Sequence, residues 1–382
     1  MLTAPQIPAQ MVKEAYDGLI NPMSVDLWIR RDLWVLHSFL CGETGEEAFF
    51  VNMMRTARLF TMKLRRAKYD RMLEKAKAVS VETHRPLPLV LADVAWSSLY
   101  YGAAFSDYFI FTFYKKSRQE RREYITLAKN NKFVGYMNDP ADRHIFDSKA
   151  EFAKLYRDYL GRGTLDLKES TDAQVVDFLE EHPIFFAKKD NMFGGIGVER
   201  FHVHDHEEAV AAVANLRGRK FDILEEAIRQ HPEMALFHPD SVNTVRVFTI
   251  RHGDEVDIVY TAIKAGNGGV VDNASGGGLM AAVDIDSGIV FTDALVKGGQ
   301  YVAVHPLSGV AFKGFQIPMW DQLKAFVKKA ALVTPRVRFV GWDVAITENG
   351  PVIVEGNFIP GYHLLQNPDR VGKMWIIRKY MK

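Results

Sequence analysis

VGWDVAITENGPVIVEGN, residues 340–357, is the stretch that decides the fold of this chain. Apolar residues alternate on both sides of a glycine-containing turn, which predicts two paired strands, Phe339–Thr347 and Pro351–Asn357. The loop between them is Glu348, Asn349 and Gly350. The remaining polar residues of the stretch therefore lie on the strands of one hairpin.

The register of this hairpin decides what its polar residues do. A three-residue turn with Gly350 in the left-handed conformation sets Asp343 opposite Glu355, with Asn357 two residues further along the same face. Opposed Cβ atoms lie roughly 4.5 to 5.5 Å apart, so the two carboxylates repel each other unless a cation lies between them. Two carboxylates and an amide oxygen are ligands that suit Mg²⁺. A two-residue turn at Asn349–Gly350 instead turns the carboxylates to opposite faces and leaves an ordinary hairpin with a polar side.

Composition limits the class of protein and its partners. The 382 residues are 48% hydrophobic and 25% charged, as in a soluble globular protein with two or three domains. The 48 basic and 47 acidic residues leave no overall field for nucleic acid, so we expect no such partner. The single Cys41 fits a reducing compartment, and the N-terminus lacks a basic start and an apolar core. We expect a cytoplasmic protein without a transmembrane segment.

The secondary-structure signals of the sequence change along the chain. Residues 1–135 predict a mostly helical region, and between Arg55 and Lys77 one amphipathic helix carries nine basic residues. Such a helix either lies on an anionic surface or presents an ordinary solvated face, and its role stays open. Beyond Pro140 strand and helix signals alternate, which indicates an α/β or an α+β region.

A glycine cluster follows a short buried strand. PIFFAK, residues 183–188, predicts the strand, and Gly194, Gly195 and Gly197 come directly after it. A loop of this kind lets backbone N–H groups close on phosphate oxygens, and Lys188 would add positive charge. The same cluster is also typical of a flexible hairpin.

Several other elements have clear signals. Residues 147–160 predict a helix capped by Asp147 or Ser148. Residues 221–228 predict a strand ending in acidic residues, and residues 241–251 and 256–264 predict a hairpin. Arg246 alternates with valines in that hairpin, so it is either solvated or directed into a cleft.

The order of these features resembles the ATP-grasp superfamily, and within it the sugar-transfer-associated ATP-grasp family. The resemblance runs from about residue 92 to residue 361 and is carried by YGAAFSDYFIFTFYKKSRQERREYIT, FDSKAEFAKLYRDYLGR, FFAKKDNMFGGIGV, HPDSVNTVRVFTI, VDNASGGG, HPLSGVAFKGFQIPMW and GWDVAITENGPVIVEGN. It implies an α+β fold in which two lobes, residues 136–230 and 231–382, grip ATP after the helical N-terminal region. Ser148 and Lys189 depart from residues common in relatives, and neither departure removes a required group.

The resemblance also implies roles for individual residues. Those that contact the nucleotide are Lys149, Lys188, Gly194, Gly195, Gly197, Glu225, Glu226 and Ile228, the last three as the hinge that reads adenine. The magnesium ligands are Asp343, Glu355 and Asn357. The residues near the transferring phosphoryl group and the substrate are Arg246, Lys264 and Asn273.

The reaction that the resemblance implies is an ATP- and Mg²⁺-dependent carboxylate–amine ligation through an acyl phosphate. Its partners are a small carboxylate and an amine, and a sugar acid or a small amino acid from a polysaccharide or specialised-metabolite pathway suits the family name. Two alternatives remain, an ATP-grasp kinase acting on a small hydroxyl substrate and a nucleotide-binding regulator without turnover. The sequence does not define the oligomeric state.

Overall fold

The computed structural model describes residues 69–190, 197–268, 278–296 and 299–381. By contact density the chain divides into two compact units, residues 1–129 and 130–382. The first 68 residues, which include Cys41 and most of the predicted basic helix, lie outside the described part. The finer boundaries predicted for the lobes stay predictions.

The described part of the first unit is helical, as predicted. Its helices are α1 (Tyr69–Thr83), α2 (Leu87–Tyr101), α3 (Phe105–Ile110) and α4 (Arg118–Arg122), and α5 (Leu127–Met137) leads into the second unit. Buried aromatic side chains, among them Tyr108 and Phe113, form the core of this unit. Among the helices of the described ranges, none has the length and apolar character needed to cross a membrane.

The second unit contains two antiparallel sheets. Its helices are α6 (His144–Asp147), α7 (Lys149–Leu155), α8 (Arg157–Leu160), α9 (Asp172–Glu181), α10 (His206–Gly218), α11 (Pro232–Ala235), α12 (Trp320–Ala330) and α13 (Met374–Tyr380). Its strands are β1 (Thr164–Asp166), β2 (Ile184–Lys188), β3 (Val198–His202), β4 (Ile223–Glu226), β5 (Thr244–His252), β6 (Glu255–Ala265), β7 (Leu279–Val283), β8 (Ala294–Leu295), β9 (Tyr301–Val302), β10 (Phe339–Thr347) and β11 (Gly350–Asn357). This mixture confirms the predicted α+β class.

The smaller sheet has the strand order β1-β4-β2-β3. Apolar side chains of α9 and α10 pack with Phe185 and Ala187 of β2 and with Leu224 of β4. The strand predicted at 183–188 is confirmed, and β2 and β3 flank the glycine cluster. Gly197 adopts φ +74°, a conformation that favours glycine. Gly194 and Gly195 lie outside the described residues.

The larger sheet has the order β11-β10-β5-β6-β7-β8-β9. The predicted β5–β6 hairpin is confirmed. Val245 and Val247 join the core that also contains Leu323 and Val327 of α12. Arg246 lies between the two valines, so strand alternation directs it to the opposite face, where it is only 4% exposed. Arg246 is therefore buried and not solvated.

The β10–β11 hairpin has the predicted pairing of Asp343 with Glu355, but its turn is shorter than predicted and a β-bulge makes up the difference. Thr347 pairs with Gly350, so the turn has two residues, and the three-residue turn expected from the sequence was wrong. Val344 pairs with Ile353, whereas Asp343 pairs with Glu355, so Val354 is an extra residue in β11. This β-bulge restores the opposition of Asp343 and Glu355 that a longer turn was expected to provide.

The single helix predicted at 147–160 was also wrong, because the segment is broken into three short helices. Ser148 leaves the helical conformation with ψ 117°, and its hydroxyl accepts a hydrogen bond from the Glu151 N–H. The Asp190 carboxylate accepts hydrogen bonds from the Lys149 N–H at 2.6 Å and from the Ser148 hydroxyl at 3.1 Å. A distant carboxylate thus satisfies the groups that a continuous helix would have bonded internally.

Candidate active site

Asp343 is buried at the centre of a charged row on the larger sheet. Its Oδ1 accepts a hydrogen bond from Arg246 Nε at 2.5 Å, and its Oδ2 accepts from Arg246 Nη2 at 2.8 Å and from Lys264 Nζ at 3.1 Å. Burial alone would raise the pKa of Asp343, but the charges of Arg246 and Lys264 outweigh burial and hold it well below its usual range. Asp343 is therefore a carboxylate at neutral pH.

Strand register brings these charges together. Asp343 pairs with Glu355 on one side and with Arg246 on the other, so the three lie side by side on β11, β10 and β5. Arg246 pairs with Ala262, and Lys264 lies two residues further along β6 on the same face. The sheet thus carries two acidic groups next to two basic ones.

Glu355 is exposed, and its carboxyl group is hydrogen-bonded to the side chain of Asn357. The Asn357 side-chain amide donates to Glu355 Oε1 at 3.2 Å and to the Gly341 carbonyl at 3.4 Å. The surrounding protein desolvates part of this exposed side chain, and this desolvation together with the neighbouring Asp343 carboxylate raises the pKa of Glu355. The structure therefore brings together all three residues that the resemblance implies as magnesium ligands.

The donor set fits a hard divalent cation. Two carboxyl groups and one amide group converge from adjacent strands, and Mg²⁺ binds oxygen ligands of these kinds. The pKa of Glu355 is raised while it faces Asp343 without a cation, so bringing a cation between the two groups would favour its ionised form. Mg²⁺ bound here would neutralise both carboxylates and would be held by Asp343, Glu355 and Asn357.

A second charged cluster lies on the smaller sheet. Glu225 is buried, and its Oε2 lies 2.7 Å from Lys188 Nζ and 2.6 Å from Arg162 Nη2. Burial opposes ionisation of Glu225, but Arg162 and Lys188 outweigh it and lower the pKa to about 2. Glu225 therefore fixes the position of Lys188 at the end of β2.

Lys149 links the two charged clusters electrostatically. Its Nζ donates to the Lys189 carbonyl at 2.8 Å. Burial lowers the pKa of Lys149, Lys188 lowers it further, and the charges of Asp190, Glu355 and Glu225 act in the opposite direction. The two predicted phosphate lysines and the predicted metal carboxylate Glu355 thus interact within one region.

The predicted adenine hinge follows the end of β4. Glu226 is bonded locally, because its Oε2 accepts from the Gly163 N–H at 2.9 Å. Ile228 lies two residues beyond the strand and is half-buried. Within the described ranges, the backbone N–H and C=O of Ile228 form no hydrogen bond. The role of this segment as an adenine hinge stays a prediction.

Two residues of this region were not predicted from the sequence. Asp190 fixes the start of α7 next to Lys149, and Arg162 connects Glu225 to carbonyl groups of β11. The only signal for Arg162 was its position between two glycines, Gly161 and Gly163. Asn273, predicted on the substrate side, lies outside the described residues.

The family comparison matches the C-terminal part of the chain. The model described as sugar-transfer-associated ATP-grasp matches residues 205–373, which include the β5–β6 and β10–β11 hairpins. The resemblance stated from the sequence is confirmed over these residues. A comparison with curated proteins gave no match.

Solved structures similar to the chain include several ligases. D-alanyl-alanine synthetase A from Vibrio cholerae is 12% identical, with 63% of this chain and 66% of that chain covered and a TM-score of 0.38. The ATP-grasp ligase PsnB with its minimal precursor is 13% identical, with 62% and 60% covered and a TM-score of 0.37. N5-carboxyaminoimidazole synthetase from Staphylococcus aureus with ADP is 10% identical, with 58% and 46% covered and a TM-score of 0.37. This chain covers less than two thirds of each of them.

Proposed function

We propose that this protein is an ATP- and Mg²⁺-dependent ligase that joins a carboxylate to an amine through an acyl phosphate. The observation that carries the proposal is the opposition of Asp343 and Glu355 on one hairpin, beside the buried cations Arg246 and Lys264. The family match over residues 205–373 supports ATP as the substrate of this site.

ATP would be bound between the two charged clusters. Lys149 and Lys188 would contact the phosphates, together with the backbone of the glycine cluster that ends at Gly197. The main chain at Ile228, next to Glu225 and Glu226, would bind adenine. Lys188 is already fixed by the Glu225 carboxylate at 2.7 Å, so little side-chain entropy would be lost when a phosphate binds.

Phosphoryl transfer depends mainly on positioning and on charge neutralisation. Mg²⁺ held by Asp343, Glu355 and Asn357 would neutralise phosphate charge when bound. Arg246 and Lys264 would do the same from the neighbouring strands. A carboxylate oxygen of the substrate attacks the γ-phosphorus and ADP leaves. The amine then attacks the acyl carbon, phosphate leaves, and the nitrogen loses a proton to complete the amide.

The substrates that we propose are a sugar acid or a small amino acid and an amine, in a polysaccharide or specialised-metabolite pathway. Asn273 would contact this substrate. We place the reaction in the cytoplasm, because ATP is available there and a single cysteine suits a reducing compartment.

The test is a panel of carboxylates and amines assayed for ADP release. With the correct acid, hydroxylamine should trap the acyl phosphate as a hydroxamate in place of the natural amide. ADP release that accompanies phosphorylation of a hydroxyl substrate, without hydroxamate, identifies a kinase. Nucleotide binding without ADP release across the panel supports a regulator and rejects the ligase.

A further inference from the structure

We infer that Arg162 is a positioning residue for the proposed magnesium site, because it holds the β-bulge that turns Glu355 towards Asp343. The inference rests on the proposed function for its catalytic consequence. Its structural part, the support of the bulge, stands on the contacts of Arg162 alone.

The bulge at Val354 decides which way Glu355 points. From Thr347 to Val344 the hairpin follows the register of a two-residue turn. Continued without a bulge, that register would pair Asp343 with Val354 and would turn Glu355 to the face that Trp342 occupies. Trp342 is fully buried in the core, so Glu355 would then point away from Asp343. One extra residue in β11 therefore keeps the two carboxylates together.

Arg162 binds the bulged segment of β11 directly. Its Nη1 donates to the Ile353 carbonyl at 2.6 Å, and its Nη2 donates to the Val354 carbonyl at 3.3 Å. Since β11 is the edge strand of the larger sheet, these carbonyls need partners from outside the sheet. A planar guanidinium group supplies two parallel N–H groups in a fixed geometry, and a lysine does not.

The same guanidinium group fixes the phosphate side of the site. Arg162 Nε donates to Glu225 Oε2 at 2.8 Å, and this oxygen also binds Lys188. The side chain of Arg162 is only 3% exposed, so each of these bonds is protected from water. Arg162 therefore connects a proposed phosphate lysine on the smaller sheet to the proposed metal carboxylates on the larger one.

The glycines on either side fix the backbone of Arg162. Gly161 has φ +57°, and a Cβ there would lie 2.4 Å from Val352 Cγ1, so the chain passes directly against β11. Gly163 exchanges hydrogen bonds with Glu226, since its N–H donates to the carboxylate and its carbonyl accepts from the Glu226 N–H. The guanidinium group thus lies between the two sheets on a rigid segment.

The first experiment compares Arg162→Gln with Arg217→Gln in the full-length protein. Arg217 is the control, because it likewise binds one carboxylate, Asp172, and backbone carbonyls, those of Leu167 and Ser170, but at a more exposed position that makes no hydrogen bond to β11 within the described residues. Mn²⁺ binding is titrated by electron paramagnetic resonance, and ADP release is followed against Mg²⁺ concentration. We expect Arg162→Gln to weaken metal binding about 10- to 100-fold, with excess Mg²⁺ restoring turnover, and Arg217→Gln to behave as wild type.

Arg162→Lys keeps the charge near Glu225 but loses the two parallel bonds to β11. We expect it to fold as wild type does and still to weaken metal binding, which excludes general loss of structure as the cause. Metal binding at the wild-type level in both Arg162 variants would overturn the inference. The inference would also be overturned if Arg162→Lys released ADP more slowly at every Mg²⁺ concentration and excess Mg²⁺ did not restore the rate.

Hydrogen exchange separates this inference from the proposed function. Without metal or nucleotide, the amides of residues 350–357 should exchange faster in Arg162→Gln and at the wild-type rate in Arg217→Gln. If the wild-type protein neither binds Mn²⁺ nor releases ADP, the proposed function fails. Faster exchange in Arg162→Gln would then still support its hold on the bulge, and unchanged exchange would reject it.

Discussion

Asp343 and Glu355 are directly opposed, although the register of the pairs nearer the turn would place Val354 opposite Asp343. The extra residue Val354 corrects the difference and places both carboxyl groups on one face of the sheet. Their pKa values diverge, because Asp343 is paired with buried cations while Glu355, although exposed, is partly desolvated and faces Asp343. The pair is therefore asymmetric: the pKa of Asp343 lies below its usual range and the pKa of Glu355 lies above it.

The first prediction concerns the carboxylate of Glu355. Glu355→Gln should lower ADP release by about 100-fold or more while the fold survives, because an amide does not replace a charged metal ligand. ADP release and circular dichroism measure the two effects. Glu348→Gln is the control, since Glu348 is exposed at the turn of the same hairpin. Unchanged turnover in Glu355→Gln would remove Glu355 from the metal site.

The second prediction concerns pH and the stability of the metal-free protein. The pKa of Glu355 is raised in the folded state, so its contribution to stability is present at low pH and is lost as pH rises through the raised pKa. In EDTA, Glu355→Gln should therefore melt at a higher temperature than wild type above that pKa and at the same temperature well below it. Mg²⁺ should reverse the order at neutral pH, because it stabilises only the protein that binds it. Thermal melts from pH 4 to pH 8 measure the crossover, and parallel curves would contradict the prediction.

The third prediction concerns the buried Glu225. Glu225→Gln leaves Arg162 and Lys188 without a charged partner, so we expect a loss of about 3 kcal/mol in the free energy of unfolding at neutral pH. The pKa of Glu225 is lowered from 4.5 to about 2 in the folded state, so the stability it provides is present above pH 4.5 and is lost as pH falls towards 2. Urea unfolding at pH 7 and pH 3 should show a smaller difference at pH 3.

The control for Glu225 is Glu199→Gln, since Glu199 pairs with Arg219 at a site where both side chains are more than 40% exposed. Exposed pairs of this kind contribute about 0 to 1 kcal/mol. Equal losses in the two variants would show that Glu225 is not held by its buried partners.

Local sequence predicted the elements and failed where distant residues decide the geometry. Alternating apolar residues correctly predicted β10, β11 and the β5–β6 hairpin, and of the two predicted caps, Asp147 and Ser148, the structure has Ser148. The opposition of Asp343 and Glu355 was predicted from a turn that does not exist. The bulge depends on Arg162, which lies 191 residues from Ile353 in the chain, and no local pattern encodes that contact.

The broken helix at 147–160 has the same explanation. The sequence predicted one helix, but the carboxylate of Asp190, 41 residues away, accepts a hydrogen bond from the Lys149 N–H and fixes a new helix start there. The role of Lys149 came from the family resemblance alone, because a lysine at a helix start has no distinctive spacing, whereas Lys188 was also indicated by its place before the glycine cluster. Charge clusters built from four strands of a sheet become visible only when the register is known.

The last prediction concerns Gly341, which makes room for the Arg246 guanidinium group. A Cβ at Gly341 would lie 2.7 Å from Pro360 Cβ and 3.3 Å from Arg246 Nη1, so at least one of these neighbours must move. We expect Gly341→Ala to lower the rate of ADP release about 10- to 100-fold with a smaller change in KM for ATP, because a displaced Arg246 acts on the transferring phosphoryl group rather than on ATP binding. Gly135→Ala is the matched control, since a Cβ there meets nothing within 4 Å on the surface of α5 and an alanine favours the helix. Wild-type turnover in Gly341→Ala would mean that the position of Arg246 beside Asp343 does not limit the reaction. The role of Arg246 would then be structural, the neutralisation of the buried Asp343 carboxylate.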